Sequence, residues 1–208
     1  MSEQTLAQTQ VLVVSTGTAN TASVMASIRR LGARPRLTRD PLEVESASHL
    51  VLPGVGAFSA ALDEIDALGL REPLRRRVLA NRATLAICLG LHLLCESSQE
   101  GPGRPGLGLV DSAVLRFQGG LRIPHLGWNR VEPTGGQWIE PGEAYFANSY
   151  RLDGIPSGWS CALTNYGGAF VSAVQRGKVL GCQFHPELSG AWGAKLIERW
   201  LLSGMEAN

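Results

Sequence analysis

The run Thr84-Leu85-Ala86-Ile87-Cys88-Leu89-Gly90-Leu91-His92-Leu93-Leu94 constrains this chain more than any other stretch. It opens as a short apolar run, turns at Cys88-Leu89-Gly90, and continues as an apolar-faced helix. That is the pattern of a buried strand feeding a helix through a sharp elbow. Such an elbow lifts one side chain above the edge of a sheet and beside a helix N-terminus. Negative charge is favoured there, so the Cys88 thiol is expected to ionise more readily than a free one. Gly90 carries no Cβ, which leaves room for a substrate or for the chain itself. A cysteine in an apolar run is ordinarily a packing residue. A second stretch far downstream, Gln183-Phe184-His185-Pro186-Glu187, changes that reading.

The other apolar runs extend the pattern. Val11-Leu12-Val13-Val14 and His49-Leu50-Val51-Leu52 read as buried parallel strands, and Arg34 to Thr38 as a weaker one broken by Arg39-Asp40-Pro41. A helix from Asn20 or Thr21 to Leu31 and another over 57–67 fall between them, and 72–81 reads as a basic helix with a solvated outer face. Strands alternating with helices make parallel βαβ units, so the expected fold is α/β with an open, mostly parallel, doubly wound sheet. After the turn-rich Gly101-Pro102-Gly103-Arg104-Pro105-Gly106 the character changes to short alternating strands up to Phe184. This reads as antiparallel elaboration of the same sheet in the C-terminal half, closed by a helix over 188–202.

A chain of 208 residues fits one well-cored domain, expected over 11–204, with polar residues 1–10 as a loose tail. Those first ten residues lack the basic and apolar regions of a secretory signal. With a net charge of +1 and no basic block, nothing points to nucleic acid as a partner. No apolar run approaches the roughly 20 residues needed to cross a bilayer. Cys88, Cys95, Cys161 and Cys182 lie in apolar contexts without metal-type spacing, so no metal site is expected and a reducing cytoplasm suits the chain.

Open α/β sheets bind ligands beyond the carboxyl ends of their strands. Three strands here end in unusual residues: Pro53-Gly54-Val55-Gly56, Cys88-Leu89-Gly90 and His185-Pro186-Glu187. Pro186 stiffens the last of these and lets Glu187 accept a hydrogen bond from the His185 imidazole. Nucleophile, base and orienter then form a triad defined by role and not by spacing. The glycines flanking Val55 permit a turn whose N–H faces a developing oxyanion.

Together these motifs resemble those of the class I (triad) glutamine amidotransferases, and most closely the glutaminases that serve imidazole glycerol phosphate synthases. The resemblance runs from about Val11 to Leu202. Besides the three strand ends it rests on Glu96-Ser97-Ser98-Gln99-Glu100-Gly101, Pro124-His125-Leu126-Gly127-Trp128-Asn129 and Tyr145-Phe146-Ala147-Asn148-Ser149-Tyr150. It implies that Cys88, with His185 and Glu187, hydrolyses glutamine through a thioester. The backbone at Gly54, Val55 and Leu89 would hold the oxyanion. Gly56, His92, Glu100, Ser149 and Tyr150 would contact the substrate. The resemblance further implies no cofactor, and delivery of ammonia to a (β/α)8-barrel synthase (cyclase) subunit in a heterodimer of histidine biosynthesis. Asn20, His125, Trp128 and Asn129 would face that partner, and the Gly54–Val55 peptide would act as a gate.

The chain departs from the family pattern in places. His92 stands where a glutamine is usual, Asn148 where many members have histidine, Leu188 where lysine is usual, and Ser15-Thr16-Gly17 replaces Asp-Tyr-Gly. His92 and Leu188 keep open a low-turnover, partner-binding subunit of the same fold. The triad alone is also compatible with the glutaminase of another synthase or a stand-alone cysteine hydrolase.

Overall fold

Apolar runs too short for helices, flanked by turn residues, build the floor of the molecule. The computed structural model describes residues 6–15, 21–135 and 138–204. The first half runs β1 (Gln10–Val14), α1 (Thr21–Arg30), β2 (Arg34–Thr38), α2 (Pro41–Ser46), β3 (His49–Leu52), α3 (Phe58–Ala67), α4 (Arg71–Leu79) and β4 (Ala83–Ile87). The elbow helix α5 (Leu89–Leu94) and β5 (Cys95–Ser98) follow. Then come β6 (Val110–Arg116), β7 (His125–Pro133), β8 (Gly142–Asn148), β9 (Tyr150–Leu152), β10 (Ser160–Asn165), β11 (Ala169–Arg176) and β12 (Val179–Cys182). A 3₁₀ turn over Pro186–Leu188 leads into α6 (Gly190–Ser203).

The strands form one curled mixed sheet in the order β2-β1-β3-β4-β12-β11-β10-β7-β8, with β5, β6 and β9 branching from it. Pairing is parallel from β2 through β12 and antiparallel from β12 to β8. Thus the parallel half and its antiparallel elaboration are both present. β12 joins them: it lies parallel to β4, with Cys182 level with Ile87, although it comes last in the sequence.

Side chains along the parallel strands alternate between two apolar layers, as the period of two demands. Leu50, Leu52 and Ala86 join Phe58, Leu62 and Leu74 of α3 and α4 on one face. Val51, Leu85 and Ile87 join Ile28 of α1 and Leu196 and Trp200 of α6 on the other. Covered on both faces, these strands need no polar side. Among the described residues, no helix is long and apolar enough to cross a membrane.

Several expectations change. Asp40-Pro41 does end β2, but it also starts α2: the Asp40 carboxylate accepts from the Leu42 N–H at 2.8 Å and Pro41 takes the first turn. The helix after Cys88 lasts only six residues before β5 begins. Of the stretch read as a tail, Leu6 and Thr9 are buried and Gln10 already lies in β1. The basic helix α4 is not wholly solvated on its charged side, because Arg77 is fully buried. Its guanidinium donates to the carbonyls of Val44, Ala47 and Ala83 and to the Thr84 hydroxyl. Burial, helped by Arg82, pushes its pKa down to about 9. The orphan carbonyls at the end of α2 are thereby satisfied by a cation, which suits a helix C-terminus.

Candidate active site

Cys88 sits where β4 becomes α5, with φ 52° and ψ −108°, a left-handed φ that a non-glycine residue adopts only under constraint. Its N–H donates to the Cys182 carbonyl at 2.7 Å, which pins the elbow to the end of β12. Two glycines bring neighbouring backbones into contact beside it. A Cβ on Gly90 would lie 2.0 Å from the Leu52 carbonyl oxygen, and one on Gly54 would lie 2.6 Å from the Leu89 Cβ. Elbow and glycine loop can be this close only because both residues lack side chains.

His185 lies just past β12, in reach of Cys88, and Pro186 starts the 3₁₀ turn that folds Glu187 back onto it. His185 Nδ1 and Glu187 Oε1 are 2.9 Å apart, and both side chains are buried. Burial alone would lower the imidazole pKa. Hydrogen bonds to Cys88 and Glu187 outweigh it and raise the value to about 10. The backbone around His185 is fixed from β8: its N–H donates to the Tyr145 carbonyl at 2.9 Å. The Ser189 hydroxyl donates to the His185 carbonyl at 2.6 Å and accepts from the Tyr145 N–H at 3.0 Å. Cys88 thus meets His185 and, through it, Glu187, which lie nearly a hundred residues further along the chain.

The sulfur opens into a cavity of ≈ 180 Å³. Val55, Gly56 and Leu89 line it, together with Ala147, Asn148, Ser149 and Tyr150 from the end of β8 and the start of β9. Glu100 also lines it. Its carboxylate accepts from the Phe58 N–H at 3.2 Å, and burial raises its pKa despite that bond. Gly54 does not line the cavity. Its carbonyl instead accepts from the Leu89 N–H at 3.3 Å, so that donor is already engaged. His92 reaches the cavity but is buried, and its Nε2 lies 2.7 Å from Gln183 Oε1. Gln183, which the sequence reading did not single out as a site residue, places its Nε2 3.7 Å from the Cys88 sulfur. The signal for it was available: in extended chain, residues 183 and 185 point the same way. The remaining thiols, Cys95, Cys161 and Cys182, are free and buried, and burial raises the pKa of each.

The residues expected to face a partner separate. Trp128 is 57% exposed on β7, and Leu126 on the same strand and Leu188 in the 3₁₀ turn are exposed too. Asn129 is half-buried and donates to the Asn165 carbonyl at 3.0 Å. His125 is not a surface residue. It is 3% exposed, stacked between Phe146 and Tyr166 with ring centroids 4.6 and 4.0 Å away. Positions 125 and 128 differ by an odd number, so one strand turns them to opposite faces. Asn20 lies outside the described residues.

Residues 12–203 match the glutamine amidotransferase class-I family. The chain is 42% identical over 197 residues to imidazole glycerol phosphate synthase subunit HisH of Escherichia coli strain K12, covering 92% of this chain and 98% of that one. It is 40% identical over 196 residues to the subunit of the same name from Symbiobacterium thermophilum, covering 92% of each. In shape, a crystal structure of a glutamine amidotransferase matches with a TM-score of 0.76 at 23% identity, covering 93% of this chain and 98% of that one. PurLQS from Thermotoga maritima matches with a TM-score of 0.73 at 16% identity, covering 96% and 100%. At such identities these two speak to the fold alone. The chain belongs to the class-I glutamine amidotransferase family. With this identity over nearly the whole of both chains, its place inside the family is among the HisH subunits of imidazole glycerol phosphate synthase.

Proposed function

We propose that this chain hydrolyses glutamine at Cys88 and passes the ammonia to a (β/α)8-barrel synthase subunit that makes imidazole glycerol phosphate in histidine biosynthesis. The observation that carries the reading is that Cys88, on the wall of a cavity of amino-acid size, meets His185, which Glu187 holds, in a chain with HisH relatives. His185 takes the Cys88 thiol proton, and the thiolate attacks the side-chain amide carbon of glutamine. Leu89 N–H and an N–H of the Gly54–Gly56 loop hold the oxyanion. His185 gives its proton to the departing ammonia, then takes one from the water that cleaves the glutamyl thioester to glutamate. Glu187 keeps the ring oriented throughout. Glu100, a half-buried carboxylate on the cavity wall, suits the α-ammonium of the substrate, and the 149–150 backbone its carboxylate. All of this suits the cytoplasm.

The Gly54 carbonyl on Leu89 N–H gives the gate a form: the peptide must turn before Leu89 can serve the oxyanion. Glutamate release by the isolated chain is therefore expected to be slow. It should rise about a hundredfold or more, the worth of one oxyanion donor, when the barrel subunit and its nucleotide ligand are added. Full activity alone would favour a free-standing hydrolase, and none under any condition a silent subunit. In the same assay Cys88→Ala should lower glutamine-dependent turnover by about four orders of magnitude or more, while added ammonium chloride still supports the synthase. Loss of the ammonium reaction as well would make Cys88 an interface residue.

A further inference from the structure

The Cys88 sulfur faces more than the imidazole. Gln183 is fully buried, held by its own N–H to the Ser172 carbonyl at 2.9 Å, and its side-chain amide spans the space between two groups. One end meets His92 at 2.7 Å and the other meets Cys88 at 3.7 Å, within reach for a sulfur acceptor. An amide offers opposite chemistry at its two ends, so whichever end His92 takes decides what the sulfur sees. We infer that His92 is a positioning residue: its Nε2–H donates to Gln183 Oε1 and so holds the Gln183 NH₂ toward Cys88, where it donates to the thiolate. The inference rests on Cys88 being the nucleophile.

Two observations select this orientation over its reverse. His92 is buried on α5 and desolvation lowers its pKa to about 4, so near neutrality the ring is neutral with a single N–H to place. Also beside the sulfur stands His185, whose pKa is raised to about 10. In the proposed mechanism the attacking sulfur is a thiolate, which accepts hydrogen bonds and cannot donate one. Were the amide reversed, its carbonyl oxygen would face that anion. The titratable groups around the sulfur are His185 directly, Glu187 through His185, His92 through Gln183, Glu100 across the cavity, and Cys182, whose carbonyl holds the Cys88 N–H. Of these, His92 alone acts through a reversible amide. This also gives the histidine at position 92 a task apart from touching glutamine, since its Nε2 is already engaged.

The test is the pH profile of Cys88 alkylation by iodoacetamide in the full chain, followed by mass spectrometry of the Cys88 peptide. His92→Leu removes the donor and frees the amide to reverse. The midpoint of the profile should rise by about one pH unit, the worth of one hydrogen bond to a charged group. Gln183→Leu should shift it equally, and His92→Gln, which still offers an N–H to Gln183 Oε1, should stay near the parent. With the barrel subunit present, His92→Leu should lower kcat for glutamine more than it raises KM. An unshifted His92→Leu profile with a raised KM would overturn the inference and make His92 a substrate contact. Equal shifts in His92→Leu and His92→Gln would also overturn it. Should His92→Leu lose its cooperative melt, Gln183→Leu decides: an unchanged midpoint overturns the inference, and a rise with His92→Gln unshifted supports it. Alkylation needs no glutamine, so a failure here is distinct from a failure of the glutaminase reading.

Discussion

Strands β3, β4 and β12 are buried along their whole length, whereas β7 and β8 alternate between a buried and a more open face. The first group ends in the glycine loop, the elbow cysteine and the run into His185, so the proposed reacting atoms stand on strands packed from both sides. The second is a ribbon whose inner residues, such as Phe146, fill the core and whose outer residues, such as Trp128, remain available. Rigid strands are suited to fixing distances between reacting groups, and a half-open ribbon to meeting another molecule. The cavity lies where the two adjoin, with Cys88 from one and Asn148 from the other on its walls.

The sharpest way to test the division is to remove an arginine from each side. Arg77→Met leaves the carbonyls of Val44, Ala47 and Ala83 without their donor under the floor, and should destabilise the chain by about 3 kcal/mol or more in urea unfolding. Arg130→Ala on the ribbon removes an exposed ion pair with Glu132 and should leave the urea midpoint where it was. Equal losses would erase the distinction.

Trp128→Ala should reverse the pattern: little change in melting, but affinity for the barrel subunit weakened by about 2 kcal/mol, measured by titration calorimetry. A cost in stability with no cost in binding would return Trp128 to the core.

One further effect the two regions share, and it shows only as the pH falls. His92 and His125 are both driven to a pKa of about 4 by burial, His92 despite its bond to Gln183. Below about pH 6.5 the unfolded chain takes up protons that the folded chain refuses, so stability falls as pH drops from there toward 4. His92→Gln and His125→Phe should each flatten that fall by at most about 1.4 kcal/mol per pH unit, read as the difference from the parent in urea unfolding. A flattening by only one of them would mean the other histidine is protonated in the folded state.

The sequence made the floor easy to read and the ribbon hard, for a physical reason. Strands covered on both faces must be apolar throughout, and runs such as Leu50-Val51-Leu52 announce that. Turn residues at their ends then point to the glycine loop, Cys88 and His185. On the ribbon, a side chain's face depends on register, which no local run of residues declares. The motif alone puts His125 and Trp128 on one surface, although they lie on opposite ones. Arg77 misled for a related reason: Pro73, Leu74, Arg77 and Val78 share one helical face, yet its charge suggested solvent. The Cys88–Gln183–His92 chain joins three separate positions, and only the folding of β12 beside β4 assembles it.

The ribbon's one-to-one pairing, from His125 opposite Asn148 to Val131 opposite Gly142, carries a further implication. The outer edge of β8 at Tyr145 is the part that grips His185 and Ser189. A single inserted or deleted residue would swap its inward and outward sets and withdraw that grip together. Descendants of this chain can repaint the ribbon's exterior by point substitution, but its length is not theirs to edit.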